Sequence, residues 1–339
     1  MKRLLILFSV VIFGCSFPVR LTAATPTPTL TLTPAETPTA TQPPPPTPQP
    51  GSEENPLILA LAPSPRFSQE AVDAGNVLAA QLESLTGYHF VTVSPTSEIH
   101  LVDMFRQGNA HIASMSPYSY LLARREDLVT VGLASLHNEE LFYGAQLIAN
   151  RDSEFRSFFD KTRGENTAEA DVALMQFRDK KPCWSDTVSP SGYVVPLGVL
   201  NQAGVQVRSG AFLEGQGSVV RAVYASDICD FGASFIDART LPALELDYPD
   251  VMDRVRVIWR IPAVIPYENI SFSTSVPLEV RRVLLRAFVD VMISEEGKAT
   301  MRTVYGVEAL QPAEDDVYLP FAEYVEASEL DLQELLIGP

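Results

Sequence analysis

Two short stretches carry the residues best suited to chemistry: Ser189-Pro190-Ser191-Gly192-Tyr193 and its near-copy Ser116-Pro117-Tyr118-Ser119-Tyr120. Each follows a short apolar run and opens a segment with helical character. Serine is a favoured N-cap, and proline suits the first helical position, where its missing N–H costs nothing. The next backbone N–H groups have no intrahelical partner, and the peptide dipoles favour negative charge beside them. Hydroxyls from Ser189, Ser191, Tyr193, Ser116 and Tyr118 add further donors. Such a pattern supports capture of a phosphate-like anion, with no bond made or broken. Two seats in two halves of one chain predict two lobes closing on one oxyanion. The plain alternative is an ordinary helix start whose serine caps its own amides and so competes with a ligand for them.

The elements around these stretches must deliver them to a common place. Leu57–Leu61 reads as a buried strand, Ser68 opens a helix that Gly87 stops, and Phe90–Val93 is a second strand. A helix over Leu101–Arg106 and a strand over His111–Met115 lead into Ser116. The theme repeats with a strand at Pro182–Ser185, the Ser189 start, a helix to Gln202 and a strand at Asp230–Phe235. Arg151–Gln176 reads as charged and mostly helical, Pro277–Ile293 as an amphipathic helix, and the chain closes on an acidic tail. Alternating strands and helices predict an α/β protein of two lobes, each a mostly parallel sheet flanked by helices. In such sheets ligands bind beyond the carboxyl ends of the strands, and both Ser-Pro starts fall there. Ser64, after the first strand, and Gln216, between two glycines, are further candidates for the cleft.

Residues 1–15 read as an export leader: Lys2 and Arg3, an apolar run from Leu4 to Phe13, then Gly14-Cys15. Ile12-Phe13-Gly14-Cys15 resembles a lipoprotein cleavage box that would leave Cys15 as a lipidated N-terminus; the alternative is a plain signal peptide cut elsewhere. Residues 16–54 are rich in Thr and Pro, which suits a disordered tether holding a domain off a membrane. The expected division is 55–148 with 261–339 as lobe 1, and 149–260 as lobe 2. Anchoring on the outer face of the cell membrane, outside the cytoplasm, follows. There, Cys183 and Cys229 form a disulfide or remain two buried thiols, with the first favoured. A net charge of −17 argues against a nucleic-acid surface.

Rival classes find less support. No Gly-x-Ser-x-Gly elbow surrounds Ser189 or Ser191, so an enzyme is disfavoured and no cofactor is called for. A metal receptor would have to use His89, His100, His111 and His137, which lack helical i, i+4 spacing. A sensor ectodomain using the same trap would have to signal through a partner.

Taken in order, several segments are similar to the periplasmic phosphate-, phosphite- and phosphonate-binding proteins of ABC importers. They are Gly108-Asn109-Ala110-His111-Ile112-Ala113 ahead of Ser116, the run Ser189–Pro196, Val219–Val223 leading to Asp230-Phe231-Gly232-Ala233, and Val257-Ile258-Trp259-Arg260-Ile261-Pro262. The similarity covers nearly all of residues 55–320 and is strongest at the second helix start, the family's seat for phosphonate oxygens. It implies a type II periplasmic-binding fold closing like a hinged trap, a small oxyanion ligand, permease subunits as partners and a monomer. Pro190 replaces the family's central Thr, Gln216 stands where aminoethylphosphonate binders carry His, and Glu98 or a neighbour replaces a ligand-contacting Tyr. Another such Tyr aligns near Met115, and Ser234 or Phe235 falls where an acid would receive a ligand's amine. The oxyanion end of the family's site is thus kept and the amine end is not, which disfavours aminoethylphosphonate.

Overall fold

The protein is described here by a computed structural model covering residues 49–66 and 68–337. The expected leader, the Cys15 anchor and nearly all of the tether lie outside the described residues. In chain order, β1 (Leu57–Ala60), α1 (Gln69–Thr86), β2 (Phe90–Val93), α2 (Glu98–Arg106), β3 (Ile112–Met115), α3 (Pro117–Arg125) and β4 (Val129–Leu136) come first. The chain then crosses to β5 (Phe142–Asn150), the small hairpin β6 (Phe159–Asp160) and β7 (Glu165–Asn166), α4 (Ala170–Ala173) and β8 (Pro182–Trp184). A π-helical turn over Pro190–Val194 runs into α5 (Val195–Gln202). After it come β9 (Ala211–Phe212), α6 (Gln216–Ala225), β10 (Phe231–Phe235), α7 (Pro242–Asp247), α8 (Val251–Arg254) and β11 (Val255–Pro266). The return passes through β12 (Asn269–Ser273), α9 (Leu278–Val291), α10 (Glu295–Tyr305), β13 (Ala309–Pro312), α11 (Leu319–Ala327) and α12 (Leu332–Ile337).

Two mixed sheets result, ordered β13-β4-β12-β3-β1-β2 and β11-β5-β10-β8-β9. Parallel pairs join β2, β1 and β3 in the first sheet and β10, β8 and β9 in the second. Both Ser-Pro starts follow strands of these parallel portions, β3 and β8. The remaining pairs are antiparallel and involve the strands that cross between the sheets. β5 and β11 pair from Val255 with Asn150 to Pro266 with Phe142. That long ladder keeps both strands wholly in the second sheet, so the chain changes sheets at 137–141 and 267–268 and not at 148/149 and 260/261. His137 and Tyr267 stack across these two crossings at 4.2 Å between ring centroids, and Tyr143 extends the stack at 5.1 Å.

Local chemistry explains several element ends. Ser68 caps α1 by accepting the Ala71 N–H, and Gly87 ends it in the left-handed region. Ser294 and Gly306 do the same for α10. The stripe Leu284, Ala287, Phe288 and Val291 buries α9 against the first sheet's core. Arg151–Gln176 departs from its expected helix. Phe158 N–H bonds Ile258 O, Asn166 bonds both backbone groups of Arg260, and Phe155 packs its ring on Phe177 and Phe231. Pairing to β11 overrides the local helical preference there.

The C-terminal segment is likewise more than an acidic tail on lobe 1. Its helix α11 packs on α5 of the second half, where Asn201 Nδ2 donates to Ala327 O, while α12 returns to α2 and α3. Gly198 makes this possible, because a Cβ there would overlap the Tyr324 carbonyl oxygen. Phe321 and Val325 join Tyr118, Tyr120, Val195 and Val199 in one continuous core. A disulfide joins Cys183 in β8 to Cys229 just before β10, with 5.6 Å between Cα atoms.

Candidate functional site

Glu98, Ser116, Pro117 and Tyr118 from the first half face Tyr143, Val188 and Pro190 from the second across a gap of about 440 Å³. Pro266, Tyr267 and Glu268 of the second crossing form its back, and Leu335, Leu336 and Ile337 of α12 close one side. The two Ser-Pro starts therefore do meet at one gap, through Ser116, Tyr118 and Pro190.

On the second-half side, Ser189 accepts the Gly192 N–H at 3.0 Å, and its carbonyl accepts the Tyr193 and Val194 N–H groups. The hydroxyl thus caps its own turn. Gln216 Nε2 donates to Ser189 Oγ at 3.2 Å, while its Oε1 accepts the Phe235 N–H, which fixes the amide's orientation. Gln216 also opens α6, whose start at Gly215 has no side-chain cap. Two helical starts consequently converge at the carboxyl ends of β8 and β10, among the buried hydroxyls of Ser185, Ser189 and Ser191. Gly192 is required in this crowd, since a Cβ there would overlap Ser185 Oγ. Ser191 lies beside Tyr143, and this contact opposes the rise that burial, Tyr267 and Glu268 impose on the Tyr143 phenol.

The first-half side is built differently. Ser116 caps α3 by accepting the Ser119 N–H, and its hydroxyl donates to Glu98 Oε2 from α2. Burial, opposed by the hydroxyls of Ser116 and Ser119 and aided by Glu268, pushes the Glu98 carboxyl above its ordinary range. Tyr118 is 6% exposed, and its hydroxyl is buried without a hydrogen-bond partner. Burial, then Tyr143, Asp186 and Glu98, push that phenol well above its usual pKa, so it stays a proton donor.

Not every candidate reaches the gap. Ser64 is exposed, and its hydroxyl is engaged with the Arg66 backbone at both its N–H and carbonyl. Tyr193 packs its ring on Trp184 and Phe212 at the β8–β9 side. Of the second start only Pro190 lines the gap; Ser189, Ser191, Gly192 and Gln216 are not among its lining residues, and Gly192 and Gln216 bond to Ser189. The gap's carboxylates are not legible in the sequence: Glu98 stands out only as the place of a ligand-contacting Tyr in the family resemblance, and Glu268 belongs to no motif. A carboxylate at the first position of one helix carries no signal in one dimension when the helix start it faces lies eighteen positions further along the chain. Among the described residues, no cluster of three or more His, Cys, Asp or Glu side chains is placed to hold a metal ion. Nor is any helix among them long and apolar enough to cross a membrane.

Two sheet-centred halves joined by two adjacent crossings, with a gap at the strand ends, define a two-lobed solute-binding fold. Residues 61–318 match the family of ABC transporter, phosphonate, periplasmic substrate-binding proteins, and the chain belongs to that family. It is a family of solute-binding proteins of ABC importers, acting outside the cytoplasm, and not one of enzymes. No curated protein matches the sequence. Among solved structures, the chain is similar to XAC2383 from Xanthomonas citri bound to ATP, at 14% identity and a TM-score of 0.57 over 80% of this chain and 96% of that one. PhnD1 from Prochlorococcus marinus in complex with methylphosphonate aligns at 15% identity and a TM-score of 0.48, over 80% and 97% of the two chains. Transferrin 1 from Manduca sexta aligns at 11% identity and a TM-score of 0.51, covering 81% of this chain and 46% of that one.

Proposed function

We propose that the protein captures a small phosphorus oxyanion (phosphate, phosphite or a phosphonate) in this gap and delivers it to an ABC permease. One observation carries the reading. The turn at Pro190 and the start of α6, which has no side-chain cap, converge where the Gln216 amide donates to the hydroxyls of Ser185 and Ser189. Helix starts favour negative charge. Tyr118 supplies an unpartnered hydroxyl from the facing half beside Ser116, so a bound anion bridges both sides and stabilises the closed arrangement. Each charge-assisted hydrogen bond contributes about 1.5–3 kcal/mol, enough for four or five to support micromolar affinity after closure costs. Under this reading residues 1–14 are cleaved, Cys15 becomes the lipidated N-terminus, the tether spaces a monomer from the membrane, and neither a cofactor nor nucleic acid takes part.

Equilibrium titration with phosphate, phosphite, methylphosphonate and aminoethylphosphonate tests the assignment. Micromolar or tighter binding of at least one is expected, and heat or fluorescence changes absent for all four would refute it. Mass spectrometry of the membrane-bound protein would show the acylated Cys15 terminus.

A further inference from the structure

Glu98 is the feature of the gap that a simple anion receptor least needs. It opens α2, yet its carboxylate reaches the start of α3, where it accepts the Ser116 hydroxyl. That is the place where the dipole of α3 would otherwise hold a ligand oxygen. The charge of Glu268, from the second crossing, acts on Glu98, and that of Asp186, from the loop after β8, acts on Tyr118. Among the described residues lining the gap there is no Lys or Arg to offset these carboxylates. A fully deprotonated tetrahedral anion pressed against this wall meets like charge. One that still carries a proton meets an acceptor, and an O–H···O⁻ contact is among the stronger hydrogen bonds.

Resting on the oxyanion reading above, we propose that Glu98 is a specificity-determining residue: its carboxylate accepts the proton of a P–OH group and so selects protonated phosphorus oxyanions over sulfate and sulfonates. Phosphate and alkylphosphonates retain a proton in a substantial fraction of molecules near neutral pH, whereas sulfate and sulfonates have none to give. Tyr118 complements the selection. Its hydroxyl, buried and without a partner beside Glu98, donates to an unprotonated oxygen of the same ligand. The first half therefore reads one protonated and one bare oxygen, while the Ser189–Gly192 turn holds the remainder.

Methylphosphonate and methanesulfonate have the same shape and differ in that proton, so calorimetric titration of both at pH 7 is the test. The wild-type protein is expected to prefer methylphosphonate by about a hundredfold or more, because a site built around a hydrogen bond rejects the analogue lacking it. In Glu98→Gln the amide can turn its N–H groups to a sulfonate oxygen, and the preference is expected to fall below about tenfold. Glu268→Gln should tighten both ligands alike and leave their ratio unchanged. Wild-type protein that binds both ligands equally overturns the inference whatever the variants do. So does a Glu98→Gln protein that keeps the wild-type ratio, with the oxyanion reading left standing. Aminoethylphosphonate bound far more tightly than methylphosphonate, with the difference lost in Glu98→Gln, would show that Glu98 meets an ammonium, and this too overturns it. Failure of every phosphorus ligand to bind either protein would remove the oxyanion reading along with the inference.

Discussion

At the residue scale, the serines of the second turn have separable roles. Ser189 caps the turn through Gly192 N–H, whereas Ser191 is buried beside Tyr143 and takes no part in the cap. Ser189→Ala is therefore expected to lower stability by about 1 kcal/mol as well as weaken ligand binding. Ser191→Ala should weaken binding tenfold or more with the melting temperature nearly unchanged, a contrast that titration and thermal unfolding resolve together. Glu98 has a pH signature of its own. Its carboxyl sits above the ordinary range in the folded protein, so the folded state holds the proton more tightly than the unfolded one. The contribution of that proton is fully present below the unfolded pKa and is lost as pH rises through the folded value. Glu98→Gln should accordingly melt higher than wild type at pH 7, and the difference should shrink as the pH falls toward the ordinary carboxyl range.

At the element scale, the contact between α5 and α11 depends on a missing side chain. Gly198→Ala would drive a methyl group into the Tyr324 carbonyl, forcing the helices apart. A loss of about 1–3 kcal/mol is expected from chemical denaturation, the usual range for overpacking. The disulfide acts on the neighbouring layer, since it ties the entry to β10 onto β8, the strand that leads to the Ser189 turn. Replacing Cys183 and Cys229 with serine should cost about 2–4 kcal/mol, read as a lower denaturation midpoint. The α6 start is held independently by Gln216 through Phe235 N–H, so methylphosphonate affinity should survive in the folded fraction.

At the scale of the whole molecule, the two halves are linked by more than their two crossings. The C-terminal segment runs from β13 in the first sheet to α11 on the second half and back to α12 on α2 and α3. Leu335, Leu336 and Ile337 then wall the gap itself. Removing residues 332–339 is expected to leave the α11 contacts in place while opening that side, so methylphosphonate should bind more weakly and dissociate faster. Stopped-flow dissociation compared with thermal unfolding would separate a lost wall from a lost fold.

Much of this was written in one dimension because it is local. Ser68 and Gly87 bound α1, Ser-Pro pairs open α3 and the π-helical turn, and the alternation of strands and helices around them specifies an α/β chain with two Ser-Pro turns at strand ends. Capping and apolar periodicity depend on residues a few positions apart, which is why sequence alone determines them. What depends on residues far apart had to await the tertiary structure. Neither the pairing of β11 with β5 nor the straightened 151–169 segment follows from local preference, because the partners lie about a hundred positions away. The charge of the gap was decided the same way. Glu98 faces Ser116, and Glu268 closes in behind, only once α2, α3 and the second crossing have packed together, and electrostatics follows distance in space rather than along the chain.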